Sequence, residues 1–207
     1  MSKKYSFITF EGIEGSGKST HSLLLIKKLK SLKVPCIYLR EPGGSDEAEK
    51  IRNFLLKDEN KKFSPITDTL LYLAARNENY IKKIKPFYKK KVIVCDRFID
   101  STMAYQHYGL SVKKSLINLL NKEIIGSIKP DFTFLMYLNV NKIKTRIYNR
   151  KKLNRYDKFT NYFYKRVQDG FLKIARKKKS KYMLIDSSKN FSFNKKIIFE
   201  KVKKLIN

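Results

Sequence analysis

The sequence predicts an α/β fold in which helices cover both faces of a parallel sheet. Five short apolar runs of strand character alternate with segments whose apolar residues recur at helical spacing. A glycine-rich loop also stands between the first strand and the first helix. Strands that alternate with helices form parallel sheets buried on both faces. With 207 residues, 42% of them hydrophobic, the chain is expected to form a single domain over residues 1–207.

The first predicted unit is a strand at residues 5–10, a glycine loop, and a helix at residues 18–33 whose leucines recur at helical spacing. Turn residues at positions 40–44 separate the second strand from the next helix. The remaining predicted strands are residues 35–39, 92–95, 132–138 and 182–185. Further helices are predicted at about residues 47–56 and 65–85, and a closing amphipathic helix at residues 191–207.

The formal net charge of +29 admits a polyanion-binding protein, such as a nucleic-acid binder. However, the lysines are scattered rather than arranged in one stripe interleaved with aromatic residues, so solvated helix faces explain most of them. We therefore expect no nucleic-acid partner. A basic nucleic-acid-binding protein that keeps the loop for regulation stays open as an alternative, and it predicts steeply salt-dependent DNA binding.

The two cysteines, Cys36 and Cys95, each lie in an apolar stretch of strand character, which favours reduced thiols over a disulfide or a metal site. The apolar run within residues 1–10 is too short for a signal-peptide core. No other apolar run is long enough to span a bilayer. The expectation is a soluble, cytoplasmic protein without a membrane partner.

The glycine-rich segment fits the phosphate-loop pattern G-x-x-x-x-G-K-[ST] in its proper context between a strand and a helix. Glycines let successive N–H groups and the helix N-terminus point at phosphate oxygens. We expect Lys18 to reach the β- and γ-phosphates of ATP and the Ser19 hydroxyl to bind Mg²⁺. The predicted ATP-binding residues here are Gly12, Ile13, Glu14, Gly15, Ser16, Gly17, Lys18, Ser19 and Thr20.

A phosphate loop alone does not separate a kinase from a GTPase or a motor ATPase. A guanine-reading N-K-x-D motif is missing, because residues 141–144 read N-K-I-K. Asp96 follows the third predicted strand, which places a carboxylate beside the loop, where it suits magnesium directly or through water. The alternative for an aspartate at a strand end is a helix cap.

Four segments together resemble the thymidylate kinase family, almost end to end: F-E-G-I-E-G-S-G-K-S-T at 10–20, R-E-P-G-G at 40–44, D-R-F at 96–98 and D-S-T-M-A-Y-Q at 100–106. The resemblance implies the reaction of ATP with dTMP to give ADP and dTDP, a step in dTTP biosynthesis. It also implies magnesium dependence, a homodimer, and a three-layer α/β/α P-loop kinase fold with a central five-stranded parallel sheet and a short basic lid at about residues 146–158. Another nucleoside monophosphate kinase or a deoxynucleoside kinase of the same fold stays open as the alternative.

The resemblance also assigns acceptor residues. Arg52 and Arg97 match ligands of the 5′-phosphate, which a planar guanidinium suits, and Tyr72 falls where the family stacks an aromatic ring on the base.

The remaining assignments concern the base and the sugar. Arg76 matches an arginine beside thymine, and Thr102 and Gln106 match groups that hydrogen-bond the base edge. Tyr105 matches a tyrosine against the sugar, and Glu14 matches a carboxylate near the 3′-hydroxyl and the magnesium shell. The predicted dTMP-binding residues are Glu14, Arg52, Tyr72, Arg76, Arg97, Ser101, Thr102, Tyr105 and Gln106.

The lid supplies the remaining arginines by the same resemblance. Some family members carry an arginine inside the phosphate loop, where this chain has Gly15, and such proteins use lid arginines instead. Arg146 and Arg150 are the lid residues expected to bind ATP. The predicted catalytic residues are Glu14, Lys18, Arg97, Arg150 and Arg155, and the predicted metal ligands are Ser19 and Asp96.

The chain departs from the family pattern in two segments of and near the lid. The family's L-D-R-[FIY]-E reads L-N-R-Y-D at residues 153–157, and its R-V-R reads R-V-Q at residues 166–168.

The resemblance also implies where the homodimer would form. The family uses the face that corresponds to the predicted helices near residues 65–85 and 99–108.

Overall fold

A computed structural model describes residues 5–57, 63–148 and 155–206. Its centre is a five-stranded sheet in the order β2-β3-β1-β4-β5. Every neighbouring pair of strands is parallel. The strands are β1 Phe7–Glu11, β2 Cys36–Arg40, β3 Val92–Asp96, β4 Phe132–Tyr137 and β5 Tyr182–Asp186. The predicted five-stranded parallel sheet is confirmed, with each strand boundary within two residues of its prediction.

Helices alternate with these strands. They are α1 Lys18–Ser31, α2 Asp46–Leu56, α3 Pro65–Asn79, α4 Lys85–Phe87, α5 Ile99–Thr102, α6 Lys114–Ile125, α7 Ile143–Tyr148, α8 Asn161–Arg176 and α9 Phe191–Ile206. Short 3₁₀ turns lie at Val140–Lys142, Arg155–Lys158 and Lys179–Lys181. Ser45, Ser64 and Thr160 cap α2, α3 and α8, because each hydroxyl accepts a hydrogen bond from an N–H three residues later.

Both faces of the sheet are buried. On one face, Ile8 and Phe10 of β1 belong to a cluster with Leu25 and Leu29 of α1 and residues of α9. On the other face, Phe7 of β1 packs in a cluster with side chains from β3 and α6. A third cluster joins α8 to the end of β4. Alternate residues of one strand therefore serve opposite layers, which gives the three-layer α/β/α arrangement.

Two helices differ from their prediction. The segment expected to be helical over residues 65–85 changes to a π-helical turn at Tyr80–Ile84, and the segment expected over residues 99–108 becomes π-helical at Met103–Gly109. Both turns keep the helix path while widening the hydrogen-bond pattern by one residue, which apolar spacing does not reveal. The first begins beside Asn79, whose buried amide donates to the Gly43 carbonyl and accepts from the Ser45 N–H.

Cys95 is buried in β3 and Cys36 is half-buried in β2, and both are free thiols, as predicted. Within residues 5–57, 63–148 and 155–206, no helix has the length and apolar character needed to cross a membrane.

Because β1 lies between β3 and β4, the loop after β1 opens into the crevice at the carboxyl ends of the central strands. Ligands of open α/β sheets bind in such a crevice.

Candidate active site

The phosphate loop connects the end of β1 to the start of α1. Its glycines Gly12, Gly15 and Gly17 have φ angles of 136°, 70° and 83°, which side-chain-bearing residues rarely adopt. A Cβ added at Gly12 would lie 2.3 Å from the carbonyl oxygen of Met136 in β4. The first position of the motif therefore needs glycine for both conformation and space.

Lys18 reaches back across the loop. Its Nζ donates hydrogen bonds to the Ile13 carbonyl at 2.6 Å and to the Ser16 hydroxyl at 3.3 Å. Burial and the nearby Arg97 lower the pKa of Lys18 to about 7, although the surrounding carboxylates act in the opposite direction. An anion bound in the loop would stabilise the ammonium form.

Ser19 and Asp96 meet between α1 and the end of β3. The Ser19 hydroxyl donates to Oδ2 of Asp96, and Oδ1 of Asp96 is buried without a hydrogen-bond partner in the described part of the chain. Hydroxyl and carboxylate oxygens are ligands that Mg²⁺ prefers. The described residues contain no group of three or more His, Cys, Asp or Glu side chains placed to hold a metal. A magnesium ion would therefore take its other ligands from phosphate and water.

Arg97 follows Asp96 and points back toward the loop. Its Nη2 donates to Oε1 of Glu14 at 2.8 Å, and its Nη1 donates to the Gly12 carbonyl at 3.1 Å. The guanidinium carbon lies 5.1 Å from the ring centroid of Tyr105, whose hydroxyl donates to Oε2 of Glu14. These contacts fix the side chains of Arg97, Glu14 and Tyr105 relative to one another.

Electrostatics keeps Arg97 positively charged. Burial opposes the charge of Arg97, but the nearby carboxylates of Glu14 and Asp96 outweigh it, so the pKa of Arg97 lies above its usual range. Burial raises the pKa of Tyr105 well above its ordinary value, so its phenol stays protonated. An arginine with a fixed positive charge beside the loop suits a second phosphate group.

A cleft of about 190 Å³ opens between the phosphate loop, α2, α3 and the segment after β3. It brings together all nine residues predicted to bind the acceptor: Glu14, Arg52, Tyr72, Arg76, Arg97, Ser101, Thr102, Tyr105 and Gln106. Lys18, Ser19 and Asp96 line the same cleft. The residues expected at the two phosphate sites therefore share one opening.

Ion pairs and hydrogen bonds fix the far wall of this cleft. Arg76 is 3% exposed, and its Nε donates to Oε2 of Glu41 at 2.7 Å while its Nη1 donates to Oδ1 of Asn121 at 2.8 Å. Arg52 donates from Nη1 to the Pro42 carbonyl at 2.7 Å, and burial lowers the pKa of its guanidinium. Both arginines are thus oriented by partners that sequence spacing did not identify.

Several lining residues were missed from the sequence: Arg40, Glu41, Pro42, Leu56, Phe98 and Tyr156. Tyr156 enters from the lid side, and its hydroxyl donates to Oδ2 of Asp68 at 3.2 Å. Its ring centroid lies 6.0 Å from those of both Tyr72 and Tyr105. Most of these positions stand inside or beside quoted motif segments, so the motifs carried the signal, but no role was assigned to them.

Arg146 connects the phosphate loop to the loop after β5. Its Nη1 donates to the Gly15 carbonyl at 3.2 Å, and its Nη2 donates to the Ser187 carbonyl at 2.7 Å. The Ser187 hydroxyl in turn donates to the Ser16 carbonyl at 2.7 Å. Ser187 was not among the predicted site residues. Thr20 lies exposed on the first turn of α1.

The two lid arginines predicted to be catalytic fall at the edge of the described chain. Arg150 lies outside the described residues, as does the side chain of Arg155, which begins the 3₁₀ turn Arg155–Lys158. Their expected contacts stay predictions.

A parallel sheet, a phosphate loop with its lysine and hydroxyl, and an adjoining cleft walled by arginines define a P-loop nucleotide kinase, an enzyme that transfers a phosphoryl group. The sequence model described as thymidylate kinase matches residues 10–198. The chain therefore belongs to the thymidylate kinase family, as the resemblance predicted.

Relatives agree over most of the chain. The thymidylate kinase of Wolbachia pipientis subsp. Culex pipiens is 42% identical over 182 residues, covering 86% of this chain and 85% of that protein. The thymidylate kinase of a Sulfurihydrogenibium species is 39% identical over 198 residues, covering 95% and 96%. The crystal structure of thymidylate kinase from Ehrlichia chaffeensis has a TM-score of 0.77 and 35% identity, covering 96% of this chain and 98% of that one. The P-loop kinase fold is thereby confirmed.

Proposed function

We propose that this enzyme transfers the γ-phosphoryl group of ATP to dTMP, with Mg²⁺, to form ADP and dTDP. The observation that carries the proposal is the shared cleft, in which Lys18 of the phosphate loop and Arg97 of the segment after β3 line one opening. Phosphoryl transfer requires little covalent help from the protein, so catalysis depends on positioning and charge neutralisation.

On the donor side, residues 12–20 bind the ATP phosphates through loop N–H groups and the N-terminus of α1. Lys18 leaves the Ile13 carbonyl and moves its charge to the β- and γ-phosphates, because their oxygens are stronger acceptors than a neutral carbonyl. Arg146 and Ser187, which join the loop to the segment after β5, flank the place for the nucleotide's base.

On the acceptor side, Arg97 and Arg52 bind the 5′-phosphate of dTMP. Tyr72 stacks on thymine, Arg76 lies beside the base, and Thr102 and Gln106 hydrogen-bond its edge. All these side chains line the cleft, and the two last are buried. Ser101 supports Arg97 by accepting a hydrogen bond at 3.3 Å from its Nη1.

The residues at the sugar end of the cleft distinguish deoxyribose from ribose by space and charge. Tyr105 lies against the sugar at the place where a 2′-hydroxyl would stand, and its hydroxyl is already committed to Glu14. Glu14 faces the 3′-hydroxyl and the magnesium shell. A deoxyribose therefore fits where a ribose would displace the Tyr105–Glu14 contact.

Ser19 and Asp96 would hold the magnesium ion through the hydroxyl and the free carboxylate oxygen. When bound, the ion neutralises charge on the transferring phosphoryl group. The protein's part is to present these two oxygens beside the loop, where the ATP phosphates supply further ligands.

The lid, at about residues 146–158 within the same kinase domain, completes the site by closing over the transferring group. Arg150 and Arg155 offset its charge as an arginine finger does. This role fits the phosphate loop of this chain, which carries no arginine of its own.

We also infer a cytoplasmic homodimer. Large apolar side chains stand about half exposed on the predicted face: Ile66 and Leu70 of α3 at 53% and 47%, and Ile81 of the following turn at 51%. Burying them against a second copy removes them from water. A monomer at micromolar concentration in analytical sedimentation would refute the dimer. Two free thiols fit a reducing compartment.

The test of the reaction is ADP release from ATP and Mg²⁺ with dTMP, thymidine, dUMP, dCMP, dGMP and AMP offered separately. We expect dTMP to give the highest turnover, with dUMP weaker because it lacks the methyl group. Faster turnover with a different monophosphate would overturn the assignment of Tyr72, Thr102 and Gln106 while leaving the class of enzyme in place.

A further inference from the structure

Glu11 is a buried carboxylate that the proposed reaction does not use. It is the last residue of β1, directly before the phosphate loop, and is 1% exposed. It is not among the described residues that line the cleft. Both of its oxygens are occupied, because the Phe98 N–H donates to Oε1 at 2.8 Å and the Ser101 hydroxyl donates to Oε2 at 2.5 Å.

Both of these bonds converge on Arg97. Phe98 is the next residue along the chain, so its N–H bond to Glu11 fixes the peptide that follows Arg97. Ser101 also accepts a hydrogen bond from Nη1 of Arg97 at 3.3 Å, so the same carboxyl sets the position of a partner of the guanidinium. Glu11 thus acts on the backbone and on the side chain of one arginine.

Arg97 needs this support because its backbone is in an unfavourable conformation. Its φ of 71° lies in the left-handed region, where a residue with a Cβ pays a steric cost. Its own N–H donates to the Phe10 carbonyl at 2.9 Å. Successive residues of β1, Phe10 and Glu11, therefore hold the peptides on both sides of Arg97, and this conformation turns the guanidinium toward Gly12 and Glu14.

We propose that Glu11 is a positioning residue for the acceptor phosphate, which holds Arg97 in the conformation that binds it. This inference rests on the proposed function, in which Arg97 is a ligand of the 5′-phosphate of dTMP. Glu11 itself does not touch the substrate, so its effect passes entirely through Phe98, Ser101 and Arg97.

The protonation of Glu11 does not break this arrangement. Burial and the nearby carboxylate of Asp100 raise the pKa of Glu11 to about 8. Asp100 is itself held by the Tyr182 hydroxyl, which donates to its Oδ2 at 2.7 Å. The Ser101 hydroxyl can either donate to a carboxylate or accept from a carboxylic acid, so both forms of Glu11 keep their two partners. Glutamine at this position can do the same.

The test compares the affinities of dTMP and thymidine, measured by calorimetry, because only dTMP carries the phosphate that Arg97 binds. Glu11→Leu fills the volume but removes both acceptors. We expect it to weaken dTMP binding about tenfold or more, because a displaced Arg97 loses a charged hydrogen bond to the 5′-phosphate. Thymidine and ATP affinities should stay at wild-type values. Glu11→Gln should stay close to wild type, and Ser101→Ala should show a smaller loss confined to dTMP.

Two further variants separate positioning from general stability. Thr9→Val, two residues earlier in β1, removes a buried hydroxyl that pairs with Thr133 at 2.8 Å, so it should lower the unfolding midpoint without changing the ratio of dTMP to thymidine affinity. In an Arg97→Ala background, Glu11→Leu should have no further effect on dTMP. A parallel loss of dTMP and thymidine affinity in Glu11→Leu, or no loss of dTMP affinity, would overturn the inference.

A wrong base assignment can be told apart from a wrong role for Glu11. If the wild-type enzyme preferred another base, the same ratio would be measured with that nucleotide and its nucleoside. The ratio compares one nucleoside with and without its phosphate, so it reports on Glu11 whichever base the cleft accepts.

Discussion

Arg97 and Glu14 are joined by a hydrogen bond of 2.8 Å between Nη2 and Oε1, across 83 residues of sequence. One belongs to the segment after β3 and the other to the phosphate loop, so this ion pair joins these two walls of the cleft. Under the proposed function, the acceptor phosphate competes with Glu14 for this guanidinium. The charge proposed to bind dTMP is therefore already held in position before the acceptor arrives.

The first prediction concerns the proton on Lys18. Because its pKa is lowered to about 7, this lysine is mainly neutral in the free enzyme at pH 8. ATP phosphates favour the ammonium form, so ATP binding at pH 8 should take up close to one proton, and at pH 6 almost none. Calorimetry in buffers of different ionisation enthalpy measures the uptake. In Lys18→Ala the uptake at pH 8 should disappear, and its persistence would show that another group titrates.

The buried Arg76–Glu41 pair gives the second prediction. Arg76→Ala would leave Glu41, which is 5% exposed, without the arginine that its Oε2 binds. Breaking such a pair should lower the free energy of unfolding by about 3–5 kcal/mol. Adding Glu41→Gln to that variant should restore part of the loss, since the uncompensated charge is then gone. Urea denaturation of the three proteins checks this, and equal stability of single and double variants would contradict it.

A third prediction follows from the two bonds of Arg146 to the Gly15 and Ser187 carbonyls. Arg146→Ala should raise KM for ATP several-fold, because it removes the two hydrogen bonds that join the phosphate loop to the loop after β5. The affinity for dTMP should not change. Arg176→Ala, an exposed arginine in the last turn of α8, is the control with the same loss of charge. Equal effects of both variants would mean that general charge, not position, matters.

Lid closure gives the fourth prediction. Arg150→Ala and Arg155→Ala should each lower kcat, by up to about 10³, because an arginine finger stabilises charge only in the transition state. The urea midpoint should stay near that of the wild type. Lys152→Ala, a neighbouring loss of one positive charge, should leave kcat within a few-fold. An unchanged kcat in both arginine variants would remove them from the catalytic set.

The sequence was sufficient for the sheet because each strand is a compact, mainly apolar run, and several end in a charged residue, such as Glu11 after Phe10 or Asp96 after Cys95. It also identified the phosphate loop, whose chemistry depends on neighbouring residues. The predicted acceptor residues came from the resemblance, and the fold brings all nine of them to one cleft.

What the sequence could not show are contacts between distant segments. The Arg76–Glu41 pair spans 35 residues and the Tyr156–Asp68 bond spans 88, and neither leaves a periodic pattern. The role of Glu11 is hidden for the same reason, since its partners lie 87 and 90 residues away. The π-helical turns are also invisible, because one widened turn barely alters the spacing of apolar residues.

The most direct test follows the phosphorus atom itself. Wild-type enzyme is incubated with ATP labelled at the γ-phosphate, Mg²⁺ and dTMP, and the products are separated by chromatography beside a Lys18→Ala control. We predict that the label appears in dTDP in equal amount to the ADP formed, and that both vanish in the control. Label released as inorganic phosphate, or carried by a product other than dTDP, would contradict the proposed transfer to dTMP.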